Sequence, residues 1–135
     1  MSHGYGGAAR IALQGENTVV YEYAAYNRNV EELRNFDHIY DGLITISQNA
    51  FVEPEIHEKL KRMPSGRKKR IVKRIERDVD YTARFNAGMI TVENSRFCWR
   101  TLDKSVGMIA MRIIFKIFRL YQETGRIPDR VGYDV

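Results

Sequence analysis

The order of apolar runs and turn residues predicts an α+β domain, a mainly antiparallel sheet packed against a long C-terminal helix with one or two short helices beside it. Three observations carry that expectation. Val-, Ile- and Tyr-rich runs flank Gly15-Glu16-Asn17, a broad apolar face runs from Val106 to Tyr121, and 135 residues suit one core better than two small ones. At 44% hydrophobic and 29% charged residues the chain has enough apolar surface to fold, which excludes wholesale disorder.

Residues 1 to 7 carry three glycines and little to bury, so they are expected as a flexible terminus, leaving 8 to 135 as a single domain. Ala8 to Gln14 and Thr18 to Tyr26 read as a hairpin, because Gly15 and Asn17 tolerate positive φ in the loop between them. In the second strand Val19, Tyr21, Tyr23 and Ala25 share the face expected to be core. One helical turn fits Asn29 to Phe36, and Ile44 and Ile46 alternating with Thr45 and Ser47 make a third strand.

Pro54 suits a first helical turn, and Ile56, Leu60 and Met63 follow at helical spacing behind Glu53, Glu55 and Glu58. This predicts a short helix to about Arg62, closed by Pro64-Ser65-Gly66. Next, Ile71, Lys73 and Ile75 alternate with Arg70, Val72 and Arg74, a strand pattern, although Ile71, Val72 and Ile75 also fit a helical face. Asp78 to Ala87 reads as a short helix stopped by Gly88, Met89 to Glu93 as a strand, and Phe97 to Trp99 as its apolar partner.

The last helix, capped by Asp103 or Ser105, has Val106, Ile109, Ala110, Ile113, Ile117, Leu120 and Tyr121 on one face, widened by Met111, Ile114, Phe115 and Phe118. Only Arg112, Lys116, Arg119 and Glu123 form a polar stripe. So wide an apolar surface needs cover from a sheet on one side and from small helices or a second subunit on the other. Gly125 and Pro128 end the helix, and Val131 and Tyr133 suit either an edge strand or a frayed end.

Charge is segregated. The net charge is +5, yet Lys59 to Arg77 holds ten basic residues against the single acid Glu76, so this stretch is +9 and the rest of the chain is −4. A solvated face and a polyanion site explain such a run about equally well. The residues expected to bind nucleic acid are Lys61, Arg62, Arg67, Lys68, Lys69, Arg70, Lys73 and Arg74, with Arg112, Lys116 and Arg119 extending the surface. If Arg70, Arg74 and, across the turn, Lys61 or Arg62 share a face, together they can neutralise about five phosphates. Tyr21, Tyr23 and Tyr26 are candidate stacking platforms, with a core role favoured for alternating strand tyrosines.

Other chemistries find little support. His3, His38 and His57 with the lone Cys98 have no metal-ligand spacing, so no metal and no cofactor is expected. Phosphate-loop, nucleophile-elbow and dinucleotide-binding motifs are missing. His38 beside Asp37 reads as a surface pair before an acid–base pair, and Cys98 between Phe97 and Trp99 as a buried, inert thiol. The lone cysteine suits a reducing, cytoplasmic setting, the first residues lack a signal-peptide pattern, and no segment suits a bilayer. Three functions follow in order: non-catalytic binding of an anionic partner, nucleic acid first; a regulatory or immunity-type module, a homodimer among its options, whose basic strip meets an acidic protein; and a small metal-independent nuclease.

Overall fold

The computed structural model describes residues 4–97 and 106–134. Strands β1 (Tyr5–Gln14) and β2 (Thr18–Asn27) form the expected hairpin, and a 3-10 turn (Glu31–Leu33) leads to β3 (Gly42–Ser47). A second 3-10 turn (Gln48–Ala50) precedes β4 (Glu55–Arg62) and β5 (Lys68–Ile75). Helix α1 (Tyr81–Asn86), strand β6 (Ile90–Glu93), helix α2 (Met108–Thr124) and β7 (Arg130–Asp134) complete the α+β chain. Among the described residues the main sheet is five-stranded and antiparallel, in the order β6-β3-β2-β1-β7, while β4 and β5 pair only with each other.

Alternation places the core as expected. Val19, Tyr21, Tyr23 and Ala25 are fully buried, and with Ile44, Ile46 and Ile90 they face Ile109, Ile113, Ile114, Ile117 and Phe118 of α2. Both buried phenols are satisfied, as burial requires. Tyr21 Oη donates to the Pro128 carbonyl at 2.5 Å, and Tyr23 Oη accepts the Ser95 N–H at 2.8 Å. Helix and sheet approach so closely at Gly7 that a Cβ there would lie 2.7 Å from Ile109 Cγ2 and 2.5 Å from the Ala24 carbonyl oxygen. The opposite flank of α2 is covered within the chain: Phe51 stacks on Phe118 at 4.9 Å, and Tyr81 meets Phe115 at 4.7 Å. Most of the wide apolar surface of the helix is thus covered from within the chain, Phe115 remaining 36% exposed. No described helix is long and apolar enough to cross a membrane.

Several expectations change. The segment read as a helix from Pro54 to Arg62 is strand β4. Ile56 and Leu60, four apart, satisfy a strand face as well as a helical one, and the Pro64-Ser65-Gly66 turn supplies β5 as an adjacent partner. Tyr5, Gly6 and Gly7, assigned to a loose terminus, pair with Asn27, Tyr26 and Ala25, because a glycine-rich end fits where the sheet meets the helix. Arg96 and Phe97 form a turn in place of a strand, and Cys98, Trp99 and the proposed caps Asp103 and Ser105 lie outside the described residues. The N-cap of α2 is Gly107, which makes no side-chain cap; its N–H donates to Asn94 Oδ1 at 2.6 Å. Asp80 caps α1, Gly125 ends α2 at φ 74°, and Val131 and Tyr133 belong to an edge strand.

Two tests address this core. Ile117→Ala is expected to lower stability by about 2 to 5 kcal/mol through an unfilled cavity, read by denaturant unfolding. Burial, then the charge of Asp129, raises the Tyr21 pKa, so the folded state holds this proton more tightly than the unfolded chain. That contribution is complete below the unfolded pKa near ~10 and disappears as pH climbs from there toward the folded value. Denaturation midpoints between about pH 9 and 11 should fall less steeply for Tyr21→Phe than for the parent.

Candidate nucleic-acid interface

The basic run folds into a β-hairpin arm. β-branched Ile71, Val72 and Ile75 favour extended backbone, and a three-residue loop, Pro64-Ser65-Gly66, reverses the chain. Gly66 takes φ 82°, its N–H donates to the Met63 carbonyl at 2.9 Å, and the Met63 N–H donates to the Arg67 carbonyl at 2.7 Å. The strand expected after the turn is therefore β5. With eight residues in each strand the arm is about 27 Å long. Every residue of both strands is exposed.

A hairpin that buries nothing is marginal in water. This one is fastened at its root. Buried Gln122 of α2 accepts the Arg77 N–H at 2.7 Å through Oε1 and donates through Nε2 to the Arg77 carbonyl at 2.9 Å. On the entering side Phe51 packs against Tyr121 at 4.8 Å, and Tyr121 Oη donates to Glu53, the first cause of that phenol's raised pKa. Arg74 reaches the Gln122 carbonyl at 3.4 Å beside Gly125.

Register assigns the faces. Pairs such as Leu60↔Arg70 and Arg62↔Lys68 place Ile56, Glu58, Leu60, Arg62, Lys68, Arg70, Val72 and Arg74 on one side. The other side carries Glu55, His57, Lys59, Lys61, Lys69, Ile71, Lys73 and Ile75. The even-numbered face thus holds every arginine of the two strands, whereas all cations of the odd-numbered face are lysines. Arg62, and not Lys61, shares the face of Arg70 and Arg74. Arg67 stands just beyond the loop.

Nine Lys or Arg side chains lie between Glu55 and Ile75 against two glutamates, a net +7. Among the described residues only Arg70 of these nine has an ion-pair partner, Glu58, since Glu55 is taken up by His57 Nε2 at 2.8 Å. Near the tip, like charges face one another directly at Lys61↔Lys69 and Arg62↔Lys68. Such pairs destabilise a sheet, so these positions do not serve the arm's own stability.

The eleven expected site residues divide into two groups. Eight belong to the arm, while Arg112, Lys116 and Arg119 line an open groove of about 320 Å³ on α2 with Glu76, Tyr81 and Tyr133. A neighbouring hollow of about 300 Å³ brings Arg74 and Glu76 beside Gln122 and Glu123. The helix stripe adjoins the arm's root across two carboxylates. It is partly self-satisfied, Arg119 approaching Glu123 at 3.8 Å and Lys116 donating to the Gly132 carbonyl.

Tyr21 and Tyr23 are buried and unavailable for stacking, and Tyr26 is half-buried on the other sheet face. His38 is exposed at φ 52°, with no ion pair to Asp37 among the described residues. No group of three or more His, Cys, Asp or Glu among the described residues is arranged to hold a metal. Sequence reasoning missed Gln122, whose signal was a polar residue four positions after Phe118 on the core-facing side. Comparison with protein-family models, with curated proteins and with solved structures finds no match to the chain.

Gln122→Ala leaves the Arg77 N–H and carbonyl without their partner. It should cost about 1 to 3 kcal/mol in unfolding experiments and speed amide exchange in β5 relative to β2.

Proposed function

We propose that this protein binds nucleic acid without catalysis, gripping the phosphate backbone with its β4–β5 arm. One observation carries the reading: of nine clustered cations on a fully exposed hairpin, a single one is ion-paired among the described residues. A polyanion lowers the repulsion built into the tip and replaces no existing ion pair there. The turn beside these cations also suits phosphate oxygens, which accept from Arg and Lys at short range. Arg112, Lys116 and Arg119 act as a secondary contact where bound strands run past the root.

An acidic protein is the second reading, favoured by Ile56, Leu60 and Val72 exposed between the arginines. Salt separates the two. Neutralising about five phosphates gives a log-linear loss of affinity with a slope near −0.9 per phosphate on duplex DNA. The expected result is such a slope in fluorescence anisotropy with labelled oligonucleotides, the probe staying intact on a denaturing gel. Reversing Arg67, Lys68 and Arg70 to Glu is expected to abolish binding while the unfolding midpoint of the core stays in place. Unchanged binding by that triple variant overturns the proposal.

A further inference from the structure

Resting on the nucleic-acid reading, we infer that the arm takes B-form duplex DNA and lays its even-numbered face on the floor of the major groove. Shape is the first ground. A two-stranded ribbon exposed along both strands, meeting the core through Arg74 at its root, is an element the major groove admits at ~12 Å wide; the minor groove, at ~6 Å, is too narrow. A-form RNA has a major groove too deep and narrow for side chains to read.

Composition is the second ground. Between Glu55 and Ile75 there is no Phe, Tyr or Trp and a single His, His57, so the arm is poor in the stacking platforms on which single strands are held.

The two faces differ in a way that sets the orientation. On the even face Ile56, Leu60 and Val72 are 52%, 64% and 52% exposed, whereas Ile71 and Ile75 on the odd face are 39% and 38% exposed. Covering the even face removes more apolar surface from water, and thymine methyl groups on the groove floor are suitable cover. That face also presents Arg62 and, on exchange of its Glu58 partner for a base, Arg70; their planar forks match guanine O6 and N7, while lysine is a compact point charge. The odd face, with Lys59, Lys61, Lys69 and Lys73, then points out of the groove, and its long side chains bend back to the phosphates along the groove rims. Arg74, held against α2, sets how deeply the root enters.

Dimethyl sulfate footprinting on duplex DNA reads the groove directly, because guanine N7 lies in the major groove and adenine N3 in the minor. Protection of guanine N7 with adenine N3 still reactive is the expected result. Affinity should fall in the order duplex DNA, single-stranded DNA and duplex RNA at equal length and salt. Two charge-matched variants give a second reading: Arg62→Gln with Arg70→Gln should remove guanine protection and lower affinity about tenfold or more for each guanine that is no longer gripped. Lys59→Gln with Lys61→Gln should flatten the salt slope to a similar degree and keep the protection. Protection of adenine N3 alone, or equal affinity for all three nucleic acids, overturns the groove inference and leaves nucleic-acid binding standing. Failure to bind any of the three overturns both.

Discussion

A two-stranded ribbon with no buried side chain has no means of holding its own shape, so the arm depends on how α2 lies across the five-stranded sheet. That packing places Gln122 inside the protein, where its amide meets both backbone groups of Arg77 at 2.7 and 2.9 Å. The carboxamide is correct for the task because it donates and accepts from one rigid plane. Phe51 and Glu53, held against Tyr121, fix the other leg. The hydrophobic contact between helix and sheet is thus the source of the arm's direction, although no arm residue takes part in it.

Within the arm, charge works against local stability. Strand pairing brings Lys61 opposite Lys69 and Arg62 opposite Lys68, and among the described residues the only carboxylate engaged with a Lys or Arg of the two strands is Glu58. A hairpin shaped by stability alone would place acids across from these residues. The helix stripe behaves differently, since Arg119 and Lys116 find partners at home. That contrast separates a stripe whose charges are partly met within the chain from an arm where, among the described residues, Arg70 alone is ion-paired.

The core was legible in the sequence because alternation and helical spacing are strong where burial is complete. Tyr21 and Tyr23 on one face of β2, Ile113 and Ile117 on one face of α2, and Gly125 at its end each follow from spacing and local conformational preference. The arm was only half legible. Ile56 and Leu60 lie four apart, a distance common to both periodicities, and no burial breaks the tie in a segment that is exposed throughout. Tyr5 to Gly7 escaped because a glycine-rich end joins a sheet only through distant partners, Asn27 among them. Clustering of cations was visible as composition, yet the split between an arginine face and a lysine face depends on strand register, which no local pattern specifies.

Both strands of the arm are edges along their whole length, each with outward N–H and carbonyl groups that another extended chain can match. Lysine and arginine are the usual guards of such edges, since a second copy brings the same positive charge. The cations that crowd the arm therefore also oppose the zipping of one molecule onto the next. On the proposed nucleic-acid reading, a substitution that removes one of these cations loosens phosphate binding and unguards an edge at once.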